Sequence, residues 1–161
     1  MAAKTKKRGN GFTLIEILVV LLIMGILAAT AVPLAQINQR RTKETELRAG
    51  LRALRGAIDG YKQQWDSGHI EKKPDDTGYP PDLATLVDGV VDSADPKGRR
   101  IYFLRRIPRD PFASADLAPE QTWALRAYDS PPGEPKAGRD VYDVMPATPG
   151  MGLDGVPYRQ W

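Results

Sequence analysis

Residues 11–35 read GFTLIEILVVLLIMGILAATAVPLA, and within them residues 17–35 run for nineteen positions without a charge and with Thr30 as the one polar side chain. At 1.5 Å rise per residue this run makes a helix roughly 28 Å long, close to the hydrocarbon thickness of a bilayer. A buried helix in a domain this small would carry a polar face, and this run has none. The pattern therefore predicts a membrane-spanning helix. Glu16 stands at its start. A carboxylate taken to the bilayer centre costs on the order of 2–3 kcal/mol, so an acid here calls for a partner. At the edge the cost is smaller, and reaching into the headgroups is the simpler alternative.

The flanking charges orient the span. The 161 residues hold 23 Lys and Arg against 20 Asp and Glu, but Lys4, Lys6, Lys7 and Arg8 fall in residues 1–11, where there is no acid. The remainder is almost neutral, so the net charge gives no support to nucleic-acid binding. The positive-inside rule places residues 1–11 in the cytoplasm and residues 36–161 across the membrane; Arg40, Arg41 and Lys43 oppose that bias without reversing it. Cysteine is absent, which excludes a disulfide framework, thiolate zinc sites and a cysteine nucleophile. Ala29-Thr30-Ala31 matches the cleavage site of a secretory signal, the competing fate for such a segment. The length of the apolar core and the carboxylate at its start favour a helix that is kept.

Gly11-Phe12-Thr13-Leu14-Ile15-Glu16, preceded by Lys6-Lys7-Arg8 and followed by the apolar run with Gly25 and Pro33, resembles the class III leader of type IV pilins and type II secretion pseudopilins. The resemblance implies that a prepilin peptidase cuts between Gly11 and Phe12 on the cytoplasmic side and methylates the new amine. Glu16 then becomes the fifth residue of the mature chain and Pro33 the twenty-second. It also implies a partner for the acid: Glu16 of an incoming subunit meets the ammonium of Phe12 on a neighbour, a charge pair that relieves a lone carboxylate in low dielectric and fixes axial register. Glycine at position 11 suits a protease that must approach bare backbone.

Beyond the span, Leu47, Leu51, Leu54, Ile58, Tyr61 and Trp65 recur at helical spacing and form one apolar stripe. If the helix continues unbroken from residue 17 to Trp65 it is roughly 74 Å long and must project from the domain. Pro33 is the expected kink or melting point. Residues 38–46, NQRRTKETE, have no apolar side chain and bridge lipid and globular part. Gly50, Gly56 and Gly60 each cost up to about 1 kcal/mol in an exposed helix, and either permit close packing in a filament or are merely tolerated. The stripe covers fewer than three heptads and includes Tyr61 and Trp65, which favours packing on a sheet of the same chain over a coiled-coil dimer.

After a polar loop, Asp82 is placed to cap a short helix over residues 83–88. Residues 100–104, 122–128 and 140–144 are rich in aromatic and β-branched side chains and predict three strands of an antiparallel meander covered by the helix stripe. The fold is therefore α+β: a long N-terminal transmembrane helix packed on a small antiparallel sheet, which the resemblance makes type IV pilin-like. Four regions are divided as 1–11 (leader), 12–37 (span and filament core), 38–65 (amphipathic helix) and 66–161 (globular).

Tyr79-Pro80, residues 83–87, residues 107–112 and the tail over residues 152–161 are similar, more narrowly, to the major pseudopilins of type II secretion. Asp110-Pro111 reads as a turn, and Tyr158 and Trp161 as anchors of the tail. Many pseudopilins hold calcium in a C-terminal loop, and Asp140, Asp143 and Asp154 offer hard oxygen donors. This loop departs from the family's paired-aspartate ending, and its prolines offer metal-free stiffening instead.

His69, the single histidine, lies in a charged loop, and no nucleophile elbow, phosphate loop or metal-ligand cluster is present, so an enzyme is not expected. Arg99, Arg100, Arg105, Arg106 and Arg109 form a basic group without an aromatic platform for nucleic acid. The resemblance implies a subunit stored in the bacterial inner membrane. There it self-associates, with other pseudopilins, on an inner-membrane platform into a periplasmic filament for protein export, with no required cofactor. A type IV pilus subunit for adhesion, motility or DNA uptake is the first alternative, weakened by the lack of cysteine. A periplasmic binding or enzymatic domain on a signal anchor is the second.

Overall fold

The computed structural model describes residues 12–161. Helix α1 runs from Leu14 to Asp66 and passes through Pro33. The chain divides into two compact units, residues 1–40 and 41–161.

In the first unit, the described large apolar side chains between Phe12 and Ile37 are 43–82 % exposed. A helix that is apolar all round and covered on no side has water as a poor solvent for every face. By length and composition it is able to cross a membrane.

In the second unit the predicted stripe is the core. Leu47, Leu51, Leu54, Ile58 and Tyr61 are buried against Leu83, Leu86, Trp123, Val141, Val144 and Tyr158, with Trp65 packed at the edge. Burial within one chain removes the reason for a coiled-coil seam. Gly50 lets the helix approach its cover, because a Cβ there would stand 3.3 Å from the Trp123 ring, whose indole N–H donates to the Pro108 carbonyl at 2.8 Å. Gly56 faces open space.

Helix α2 spans Ala84–Asp88. Asp82 Oδ1 accepts from both the Thr85 N–H and the Thr85 hydroxyl at 2.8 Å, so it caps the helix from the position before the N-cap residue, Leu83. Gly89 ends the helix at φ +72°, and a Cβ there would collide with the Ile101 carbonyl.

The expected three-stranded meander is replaced by two separate antiparallel pairs. Strands β1 (Val90–Val91) and β2 (Arg100–Ile101) pair Val90 with Ile101 and Val91 with Arg100. Strands β3 (Trp123–Arg126) and β4 (Asp143–Pro146) pair Trp123 with Pro146 through Arg126 with Asp143. The reason lies in where the N–H groups go. Those of Phe103 and Leu104 both donate to the Leu86 carbonyl, and Pro108 and Pro111 have none to give. The ladder therefore stops at Ile101. Val141 donates to Pro80, which delays β4 to Asp143. The architecture remains α+β, one long helix with small antiparallel sheets.

Candidate functional site

The processing position Gly11, with the rest of residues 1–11, lies outside the described residues. Phe12 is exposed, and the first turn of α1 follows it at once. Glu16 is not isolated there. Its N–H donates to Thr13 Oγ1 at 3.3 Å, and its carboxylate accepts the Thr13 N–H at 3.4 Å. This reciprocal pair is a capping box, which satisfies two of the donors a helix start leaves open and sets a negative charge against the positive end of the helix dipole. Thr13 was missed in the sequence reading, although Thr-x-x-Glu before an apolar run is its signature. The result is a carboxylate held by Thr13 beside the exposed end of an apolar helix.

The second cluster fastens the tail to α1. Glu44 is 7 % exposed, and one carboxylate oxygen accepts from the Leu153 N–H at 2.9 Å and the Tyr158 hydroxyl at 3.1 Å. One turn on, Arg48 pairs with Asp154 at 2.6 Å, and its guanidinium lies 4.0 Å from the centre of the Trp161 ring. Two turns further, Arg55 binds Asp143 at 2.8 Å, the Val144 carbonyl at 3.1 Å and the Trp161 carbonyl at 2.8 Å. Spacings of four and seven put the three on one face of the helix. The tail closes over them, with Tyr158 stacked on Phe112 and edge-on to Trp161.

These contacts bear on calcium. Asp143 is taken by Arg55, Asp154 by Arg48, and Asp140 is buried, accepting from the Thr77 hydroxyl at 2.5 Å and the Tyr128 N–H at 2.8 Å. Among the described residues no three His, Asp or Glu side chains gather in a group suited to a metal ion. The three aspartates are each engaged by a different partner.

His69 Nδ1 lies 2.9 Å from Asp92 Oδ1 and joins the loop after α1 to the β1–β2 hairpin. That hydrogen bond, with one from the Ala94 N–H, holds the Asp92 carboxyl below the ordinary carboxylate range. Arg99 does the same for Asp95, assisted by the Lys97 N–H. The basic group is largely engaged within the chain. Arg99 pairs with Asp95, Arg100 donates to the Asp88 carbonyl, and Arg109 holds the carbonyls of Ser114 and Leu117; Arg105 and Arg106 are exposed.

Residues 6–32 match the family model for the prokaryotic N-terminal methylation motif. The type II secretion system core protein G of Klebsiella pneumoniae is 33 % identical over 144 residues, 84 % of this chain and 94 % of that one. Its namesake from Aeromonas hydrophila is 31 % identical over 68 % of this chain and 71 % of its own length. The type IV major pilin protein PilA of Myxococcus xanthus is 42 % identical over 59 residues, 37 % of this chain and 27 % of that pilin. No solved structure matches significantly.

Proposed function

The chain belongs to the type II secretion system core protein G family, and on that premise we propose that it is a membrane-stored pseudopilin, trimmed between Gly11 and Phe12 and built into a periplasmic secretion filament. It is a structural subunit, not an enzyme. The observation that carries the reading is the methylation motif over residues 6–32 standing directly on a helix start whose apolar side chains are exposed on every face. Such a helix is stored in lipid before assembly and buried among its copies afterwards.

In this reading residues 1–11 face the cytoplasm and residues 38–161 the periplasm, across the bacterial inner membrane. Prepilin peptidase removes the leader and methylates the Phe12 amine. Residues 12–37 form the filament core, with other pseudopilins and an inner-membrane platform as partners. Glu16 is held by Thr13 in the stored subunit and exchanges that hydrogen bond for the Phe12 ammonium of a neighbour, a stronger charge-assisted contact. Pro33, which gives up one helical hydrogen bond, is the place where α1 adjusts on assembly. The pilin match spans about a third of the chain, so the secretion filament is preferred to a pilus.

N-terminal sequencing of the membrane-extracted protein tests the processing. Phe12, methylated, is the expected first residue; Val32 would mean an ordinary exported protein. A Glu16→Ala chain is expected to insert normally and to form few or no filaments. Normal filaments from it would remove the role of the pair.

A further inference from the structure

Arg40, Arg41 and Lys43 sit on the side of the span where basic residues are ordinarily scarce. Packed on Glu44 and Arg48, next to Arg41, is the tip of the tail hairpin. Its backbone is closed by Gly152 donating and accepting, with Val156 at 2.8 Å and Gly155 at 2.9 Å, and by the bridge between Met151 and Pro157. The apolar side chains of this rigid tip point away from the core: Met151, Leu153 and Val156 are 55, 44 and 38 % exposed. Arg41, Glu44, Thr45 and Arg48 line one shallow depression with Leu153 and Asp154. Residues 40–48 and 150–161 together hold five basic and three acidic side chains. Two of those acids are engaged within the unit, Glu44 by the tail and Asp154 by Arg48.

Chain connectivity limits where this surface can go. Arg41 is four residues past Ile37, the last large apolar side chain of the run, and four residues reach at most about 14 Å in any conformation. The headgroup layer is roughly 5–8 Å deep on each side of the hydrocarbon. With the run in the bilayer, Arg41 cannot leave the neighbourhood of the headgroups, and the hairpin tip shares its depression.

We propose that the 151–156 tip and its basic border form a foot that rests on anionic phospholipid while the subunit is stored. Leu153 and Met151 reach the boundary of the acyl chains, and Arg41 and Lys43 meet headgroup phosphates. The inference rests on the reading of residues 17–35 as a span.

The chain has no cysteine, so single cysteines can carry an environment-sensitive dye in the full-length protein. Leu22→Cys reports the span, Leu153→Cys the foot, and Ala137→Cys an exposed loop of the same unit. The proteins are placed in vesicles mixing zwitterionic phosphatidylethanolamine with anionic phosphatidylglycerol, with a quencher on the upper acyl chain. Leu22→Cys and Leu153→Cys are expected to be quenched, the latter about twofold over Ala137→Cys, unchanged as protein is diluted into lipid. Zwitterionic vesicles, or Arg41→Glu with Lys43→Glu, are expected to release position 153 and leave position 22 quenched. If position 22 is quenched and position 153 behaves like 137, the foot is wrong and the span stands. If position 22 is not quenched, the span itself is wrong. A signal at 153 that fades on dilution means a second copy covers the tip, which also overturns the proposal.

Discussion

Glu44 shows how much of the globular unit depends on a single acid in a segment otherwise without apolar side chains. Its carboxylate oxygen answers two donors from the tail, and both lose that acceptor if it is removed. Leaving buried donors unpaired costs about 1–3 kcal/mol each, so Glu44→Ala is expected to destabilise the unit by about 2–4 kcal/mol in urea titrations read by tryptophan fluorescence. Glu44→Gln keeps an acceptor oxygen at the same place and should lose less than half of that. Arg55 is the matching cation. It joins one carboxylate and two carbonyls, and lysine cannot span three acceptors in a plane. Arg55→Lys is therefore expected to lose most of what Arg55→Ala loses, about 1.5–3 kcal/mol by the usual value of charged hydrogen bonds. Equal stability of Arg55→Lys and the parent would show that the fork geometry is unimportant.

At the scale of elements, the β1–β2 hairpin is tied by carboxylates and not by a long ladder. Asp92 accepts from His69 and the Ala94 N–H, and Asp95 from the Lys97 and Arg99 N–H groups and the Arg99 side chain. Both carboxyls are held below their ordinary value of 3.8. A carboxyl depressed in the folded state gives stability that is present above the unfolded value and is lost as pH falls through the folded one. The amides of Ala94, Lys97 and Arg99 are therefore expected to hold their positions in an NMR titration down to about pH 4 and to shift only below it. Asp95→Asn should abolish the acid shift at Lys97. A shift centred above pH 5 would contradict the assignment.

The elements also show what a sequence can and cannot carry. The α1 stripe was readable because helical periodicity is local, and the Thr13–Glu16 box was equally available as a three-residue pattern. The sheets were not readable to the same degree. Residues 100–104 have strand composition, but the Leu86 carbonyl takes the N–H groups of Phe103 and Leu104, and that competition is invisible in composition. Glu44 and Arg48 find their partners 106–114 residues away, beyond the reach of any local pattern. Separations of 63, 88 and 106 residues likewise hid the partners of Asp140, Asp143 and Asp154.

For the whole molecule, the issue is whether the globular unit depends on a metal or on the apolar N-terminal part of α1. Asp140, Asp143 and Asp154 are separately engaged, so calcium would have to displace Thr77, Arg55 and Arg48 to gather them. Melting is expected to coincide within about 1 °C with millimolar calcium and with chelator. A rise of several degrees on adding calcium would show that the aspartates rearrange around an ion. The apolar part of α1 is a separate matter. Every member of the described core lies between Leu47 and Tyr158, while the apolar side chains up to Ile37 are open. A chain starting at Asn38 keeps the whole stripe, Glu44, Arg48 and Arg55. It is expected to be soluble and monomeric in sedimentation and to unfold in one cooperative transition within about 3 °C of the full chain in detergent, less than about 1 kcal/mol for a domain of this size. A broad or much lower transition would mean that residues 12–37 help to fold the rest, and that the storage helix is structural as well as an anchor. A shared transition with filament assembly lost is the outcome that separates the two units by function: one makes the fold, the other makes the polymer.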